Sequence, residues 1–347
     1  MAVVLIVTSA PPLVEGGHLV IARALERAFV ESGHRAAVIT TPSNRFGRQG
    51  SAYLANWMTD VSQTGNGEHV DRVISLRFPS YAVRHPVHIS WLNHTMREYY
   101  DLWDSFASTL SPRGRLKEGI RRSLIHAADN YFLKHQVRKV FAQSATIQAR
   151  LARWNGLRAD VLYPPPPQRA YRTDGYGDYL FFTSRLSPLK RAHLVIEALA
   201  RPEAHHVRCV IGGEGEDLAR LQSLAASSGV DNRVLFTGRL SEGALVDHLA
   251  RCRAVIFVPK DEDYGFVTVE AFASAKAVIT TTDSGGPAEF VRDGDNGFIV
   301  APDATMLAMA FARTMDSATD AERMGRQALL DIAALTWPAT VDRLLTA

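Results

Sequence analysis

The sequence predicts an α/β protein made of two doubly wound units, each a parallel sheet with helical crossovers. Three observations predict it. Short β-branched runs alternate with longer segments of helical period along the chain, the pattern of parallel strands joined by helices. That alternation occurs in two series, and Pro164-Pro165-Pro166-Pro167 stands between them, unable to continue a helix or a central strand. The length of 347 residues matches two domains at roughly 150 residues each.

The first series opens with a strand over 2–8, whose Val3-Val4-Leu5-Ile6-Val7 run suits burial on both faces. The chain then turns through Pro11-Pro12 and Gly16-Gly17 and enters a helix over 19–32, where the Leu, Ile and Ala spacing gives one apolar face. Gly33 ends that helix, and 35–40 resumes as strand. Further strands are expected over 70–76, 87–92 and 139–143, which places the first unit at 1–165. The polar stretch from the prolines to Gly177 reads as a stiff connector. The second unit, 176–331, has strands over 179–183, 206–211, 233–236, 254–258, 277–281 and 297–300.

Composition narrows the classes. Lys and Arg number 39 against 36 Asp and Glu, a net charge of +3, and 46 % of residues are hydrophobic. That apolar share excludes a disordered chain or a collagen, and two cysteines, Cys209 and Cys252, exclude a disulfide scaffold. Reduced thiols and a cytoplasmic setting are the expectation. No run approaches the roughly 18 apolar residues that cross a bilayer, and the first strand lacks the basic leader of a secretion signal. From Arg113 to Arg153 ten Lys or Arg face two acids, Glu118 and Asp129. This local excess suits either a solvated helical face or peripheral contact with anionic lipid on the inner face of a membrane. No aromatic-interleaved platform accompanies it, so nucleic acid is not expected.

Ligands of open α/β sheets bind beyond the carboxyl ends of the strands, so residues just after strands are the candidates. Gly16-Gly17 follows the first strand and offers unhindered N–H groups at a helix start, suited to a phosphate or sugar and equally to a flexible turn. No Gly-x-Gly-x-x-Gly fingerprint is present, which argues against a nicotinamide enzyme. Arg185 and Lys190 follow the strand 179–183, where a forked and a point cation suit a diphosphate, and where a solvated surface pair is the alternative reading. Gly212-Gly213-Glu214-Gly215-Glu216 is a strand-to-helix turn of any α/β protein. The strongest constellation is Glu262-Asp263-Tyr264-Gly265-Phe266-Val267-Thr268-Val269-Glu270. With Glu262 ending a loop and Glu270 two turns into the next helix, the two backbones stand ~12 Å apart, a reach that a nucleotide-sugar spans. Glu262 would then accept from sugar hydroxyls, Glu270 from ribose hydroxyls, and the N–H groups near Gly265, Phe266 and Val267 would face the phosphate. Asp261-Glu262-Asp263 and Asp293-Gly294-Asp295 match a two-aspartate metal string, but the first overlaps the glutamate motif and the second reads as a turn. Neither His nor Cys shows zinc spacing, and Ser144 is expected to cap the helix after it.

With Arg185…Lys190 and Glu262…Glu270 in place, the sequence resembles the retaining glycosyltransferases of family 4, which have the GT-B architecture of two facing Rossmann-like domains with an interdomain cleft. Gly16-Gly17, Phe141-Ala142-Gln143-Ser144, Val161-Leu162-Tyr163-Pro164, Asp283-Ser284-Gly285-Gly286-Pro287 and Gly294-Asp295-Asn296-Gly297-Phe298 extend the resemblance over nearly the whole chain. It implies a nucleotide-diphosphate sugar as donor, UDP- or GDP-linked, a glycan, glycolipid or other hydroxyl as acceptor, and no metal or other cofactor. Arg185 and Lys190 would stabilise the departing diphosphate, Glu262 would hold the sugar and Glu270 the ribose. Gly16 and Gly17 would lie against phosphate or sugar, His94 is similar in placement to a histidine that contacts the sugar, and the last helix, within 332–347, would pack back on the first domain. Ser184 and Arg191 stand where the family usually has Gly, and Asp263-Tyr264 replaces a small residue or proline. A nucleotide-sugar epimerase, a phosphorylase on the same pair of domains, and a binding module without catalysis are the alternative readings.

Overall fold

The computed structural model of the chain describes residues 1–10, 16–43 and 47–347; the turn through Pro11-Pro12 lies outside the described residues. The chain divides into two compact units, one of Met1–Pro165 with Leu335–Ala347, the other of Pro166–Ala334.

In the first unit, β1 (Val3–Ala10), β2 (Arg35–Pro42), β3 (Arg72–Ser75), β4 (His88–Leu92), β5 (Lys139–Ala142) and β6 (Asp160–Val161) form one sheet of order β2-β1-β3-β4-β5-β6. Every pairing is parallel. Val4, Ile6 and Val7 of β1 are fully buried, as a strand covered by helices on both faces requires. β6 has only two residues, too few for a pattern of alternation to announce it. The helix Trp337–Leu345 packs against the helix Gly17–Glu31. Trp337 meets Trp91 edge-on at 6.3 Å, and Arg72 donates to the Leu344 carbonyl at 2.7 Å.

The long helix Pro112–His135 begins on Ser111, whose hydroxyl accepts from Gly114 N–H at 3.2 Å, with Pro112 at its first position. Its inner face carries Ile125, Leu133 and the fully buried Asp129. Tyr53 and Tyr81 both donate to Asp129 Oδ1, and Tyr100 donates to Oδ2 at 2.7 Å. Burial raises Asp129 to about 6 against the opposing pull of those three hydroxyls. Ser144 caps the helix Ala145–Asn155 by accepting from Ile147 N–H at 3.1 Å.

The second unit holds β7 (Leu180–Thr183), β8 (Cys209–Gly212), β9 (Val234–Gly238), β10 (Ala254–Ile256), β11 (Val278–Thr281) and β12 (Gly297–Val300). Their order is β12-β11-β10-β7-β8-β9, again all parallel. The chain enters at β7 in the middle, walks outward to β9, and returns to β10 on the other side of β7. Loops leaving β7 and β10 therefore diverge at the switch point of the sheet, where such folds bind ligands. Phe182, Ile211, Ile256 and Phe311 fill the core beneath. Cys209 and Cys252 are buried free thiols within it, both raised by burial, Cys252 to about 12.

The connector expected to run to Gly177 is part of this second unit. Thr173 donates to the Ser274 carbonyl at 2.7 Å, and Asp174 N–H to the Ala250 carbonyl at 2.9 Å. Gly177 N–H likewise donates to the Arg251 carbonyl at 2.9 Å, so the segment after the prolines is tied to the rest of its unit.

Candidate functional site

The switch point brings two of the candidate residues into contact. Lys190 lies in a short 3₁₀ turn, Pro188–Lys190, beyond β7, and Glu262 lies in the loop beyond β10. Lys190 Nζ donates to Glu262 Oε2 at 2.5 Å, and both side chains are only partly exposed. The lysine also stands over the Phe257 ring at 5.5 Å. Backbone bonds fix the two loops to each other, with Lys260 N–H donating to the Leu189 carbonyl at 2.8 Å.

The loop after β11 supports Glu262 from the far side. Glu262 N–H donates to the Ser284 carbonyl, and Gly286 N–H donates to the Glu262 carbonyl, each at 2.9 Å. Gly265 then leads into the helix Phe266–Ala273 with φ +83, a conformation that costs a residue with a Cβ. A Cβ there would also meet Phe257 at 2.7 Å and Pro287 at 2.8 Å. Thr268 N–H closes the first helical bond onto Gly265 at 3.0 Å. The N–H groups of Phe266 and Val267 precede that bond, at the positive end of the helix.

Glu270, on the same helix, is buried and meets different partners. Arg169 forms an ion pair with its Oε1, and Tyr171 donates to the same oxygen at 3.2 Å. Burial raises the Tyr171 phenol to about 12, so it remains a neutral donor at pH 7. Neither residue was anticipated from the sequence. The available signal was an Arg-x-Tyr one residue beyond the four prolines, pairing with a glutamate about one hundred residues away.

Arg185 does not join the Lys190–Glu262 pair. It sits earlier in the loop, its side chain is 73 % exposed, and it reaches Glu216 at 3.5 Å. Two cations at one strand end thus point to separate carboxylates. The glycine-rich turn after β8 has a packing role beneath this loop. Cβ atoms on Gly213 and Gly215 would stand 1.9 and 2.0 Å from the carbonyls of Ser184 and Leu186, so glycine alone allows the backbones to touch.

Arg191, which stands where the resembled family usually has glycine, turns inward. Its guanidinium is buried and donates to the carbonyls of Val258 (2.8 Å) and Pro259 (2.7 Å), to Thr281 Oγ1 (2.8 Å) and to both Asp283 oxygens (2.8 Å each). Its φ of +53 is left-handed, which accounts for the glycine usual at this position in the resembled family. One side chain thus ties the ends of β10 and β11 to the Lys190 loop. Burial pushes the Asp283 carboxyl up, but the Arg191 and Thr281 hydrogen bonds outweigh it and hold the group below its ordinary value.

The first unit gathers a second group at its own carboxyl edge. Gly16 precedes the helix Gly17–Glu31, and the ring of His18 folds back so that a Cβ on Gly16 would stand 3.0 Å from it. Arg77, past β3, places Nη1 3.1 Å from His18 Nδ1 and 3.2 Å from Nε2. Arginine only donates, so the imidazole is the neutral acceptor. Burial pushes His18 down to about 3, with Arg77 and His94 adding to the effect. His94, two residues past β4, lies 2.6 Å through Nδ1 from the Thr95 carbonyl. Phe78 N–H donates to the His94 carbonyl at 3.2 Å, which ties the loops after β3 and β4 together. His18 and Arg77 were not anticipated, although His18 directly follows the glycine pair.

Asp293-Gly294-Asp295 is occupied as a turn. Asp293 Oδ1 accepts from Ile299 N–H at 3.0 Å, and Asp295 pairs with Arg292 at 2.8 Å.

Two six-stranded parallel units with crossover helices define the class, and the architecture is that of the GT-B fold. Anabaena HepE, crystallised with UDP and glucose, superposes with a TM-score of 0.71 at 19 % identity, covering 99 % of this chain and 98 % of that one. Sucrose-phosphate synthase from Thermosynechococcus elongatus gives 0.73 at 16 % identity over 99 % and 97 %. Residues 168–330, nearly all of the second unit, match the family model described as glycosyl transferases group 1. Among curated relatives, the D-inositol 3-phosphate glycosyltransferase of Thermomonospora curvata is 31 % identical over 178 residues, covering 48 % of this chain and 41 % of the relative. That of Mycolicibacterium gilvum is 34 % identical over 174 residues, covering 48 % and 38 %. The similarity thus spans less than half the length of either relative.

Proposed function

We propose that the chain is a retaining glycosyltransferase of the family 4 type. It moves a hexosyl unit from a UDP- or GDP-linked sugar to a hydroxyl of a glycan, glycolipid or other acceptor, in surface polysaccharide or glycoconjugate synthesis. The observation that carries this reading is the Lys190–Glu262 pair at the switch point, inside the stretch that matches the group 1 glycosyl transferases. Without ligand, the two charges neutralise each other. A diphosphate on Lys190 would draw the ammonium away and release Glu262 to accept from sugar hydroxyls, so donor binding would itself prepare the carboxylate.

Glu270 completes the reading at the other end of the donor. Arg169 and Tyr171 both hold Oε1, leaving Oε2 for ribose hydroxyls. The Phe266 and Val267 N–H groups suit a phosphate oxygen. Exposed Arg185 can turn from Glu216 to the same anion. For the first unit, the candidate ligand contacts remain Gly16, Gly17 and His94.

In the transfer, the bond from the anomeric carbon to the phosphate oxygen breaks while the acceptor oxygen bonds to the same face of the sugar. The acceptor proton passes to a donor phosphate oxygen. Negative charge grows on the diphosphate as the bond breaks, and Lys190 stabilises it most at that stage. Positive charge for the leaving group comes from the chain's own side chains, and no metal is invoked.

A thermal-shift screen of UDP-, GDP- and ADP-sugars tests this. One class should raise the melting temperature, because a ligand that binds the folded state alone stabilises it. NMR of the product with an added acceptor should show retained anomeric configuration. No shift with any sugar nucleotide, or an inverted product, would overturn the assignment.

A further inference from the structure

Both loops that carry the Lys190–Glu262 pair pass through a left-handed residue that is not glycine. Arg191 directly follows Lys190 with φ +53, and Asp261 directly precedes Glu262 with φ +50. Among the described residues only three non-glycine residues have positive φ, so two of the three flank this one pair. A residue with a Cβ takes up that conformation at a cost and keeps it only where its surroundings over-determine it.

The surroundings here converge on Asp283. Both Asp283 carboxylate oxygens accept from the Arg191 guanidinium at 2.8 Å, and the Asp283 carbonyl accepts from Asp261 N–H, also at 2.8 Å. Each left-handed residue thus reaches the same aspartate, one through its side chain and the other through its main chain. One peptide bond then separates Arg191 from Lys190 and Asp261 from Glu262. The Lys190–Glu262 contact closes the ring. Thr281 Oγ1 donates to Asp283 Oδ1 at 2.9 Å and fixes the carboxylate that receives the guanidinium. The remaining Arg191 bonds, to the carbonyls of Val258 and Pro259, pin the segment that leads into Asp261.

Glycine would reach the same φ without cost, but it populates other conformations as readily. A loop free to move must be ordered when an anion arrives, and that ordering is subtracted from the affinity. We propose that Arg191 and Asp283 are a positioning pair for Lys190, whose ion pair fixes the lysine loop in the one conformation that presents the ammonium to the diphosphate. Neither side chain acts by touching the donor, and both work through the backbone of the two loops. The inference rests on the donor reading of Lys190 and adds the groups that hold the lysine in place.

Calorimetric titration of UDP and uridine into the parent chain, Arg191→Gly, Lys190→Ala and the double variant tests it. Glycine suits the backbone at this position, so the loop can still form. Arg191→Gly should lower the preference for UDP over uridine about threefold or more, with uridine affinity unchanged. In the Lys190→Ala background the same substitution should change the preference no further, because a positioning residue acts only through the group it positions. Asp283→Asn keeps one acceptor oxygen for the guanidinium and should lose less than Arg191→Gly. Should Arg191→Gly also lose uridine binding, Asp283→Asn decides: a lowered preference with intact uridine affinity supports the pair, and an undiminished one overturns it. A lower melting temperature with the UDP preference intact, or an equal further loss in the Lys190→Ala background, would overturn the positioning role alone. A parent chain without any preference for UDP would overturn the donor reading, and the positioning role with it.

Discussion

The two units share an architecture and differ in how they handle charge at the carboxyl edges of their sheets. In the second, a lysine and a glutamate face each other at partial exposure, and a further glutamate is held on one oxygen only. In the first, the edge holds a neutral histidine under an arginine, and the unit's buried carboxylate Asp129 lies beneath three tyrosines. The contrast is one of accessible against buried charge: the second unit presents the partly exposed Lys190–Glu262 pair, while the first sets a neutral His18 and, near His94, the largely buried ion pair Arg97–Asp101.

The largest effect expected from this contrast is on turnover. Lys190→Ala should lower kcat at saturating donor by roughly 10²–10³, the cost of losing one preorganised group that meets developing charge. His94→Ala should cost less, because His94 lies on the first unit and not on the loops beyond β7 and β10 that hold Lys190 and Glu262. Steady-state kinetics of both variants rank the units, and equal losses would break the distinction.

Next comes a pH dependence seated in the first unit. Asp129 is raised to about 6 when folded, from an ordinary value of 3.8, so the folded state holds the proton more tightly than the unfolded chain. Its contribution is therefore fully present below about pH 4 and is lost as the pH climbs through 6, by about 3 kcal/mol at most. Urea unfolding of Asp129→Asn should lack that decline, and the difference between the two curves isolates this group. Parallel curves would mean that the tyrosine hydroxyls keep the carboxylate charged throughout.

A smaller effect sharpens the account of the second unit. Gly265→Ala forces a Cβ into a positive-φ position against Phe257 and Pro287, which should cost roughly 2 kcal/mol of stability. Because the same residue starts the helix that presents Phe266, Val267 and Glu270, donor affinity should fall with it. Denaturant titration and nucleotide binding on one variant test both halves.

Much of this was legible in the sequence, and what was not has physical causes. The strands announced themselves where β-branched runs were long, as in Val3-Val4-Leu5-Ile6-Val7, but not in β6, where two residues carry no period. Lys190 and Glu262 were legible because each sits in a loop directly beyond a strand. Their mutual contact was not, since it depends on β10 pairing with β7 rather than following it in order. Arg169 and Tyr171 were hidden because the proline run reads as a spacer, and only the folded unit lays the segment after it along the Glu270 helix. Arg191 shows a third kind of limit. The sequence marked it as a departure from glycine, yet a left-handed backbone carrying a guanidinium with five hydrogen bonds cannot be read from residue types.

The central claim is that Lys190 takes the diphosphate and Glu262 is thereby released. Calorimetric titration of UDP and of uridine into the parent chain and into Lys190→Ala tests it most directly. The account predicts that UDP binds at least tenfold more tightly than uridine to the parent, and that the substitution removes most of that difference while leaving uridine affinity unchanged. An undiminished preference for UDP in Lys190→Ala would contradict it.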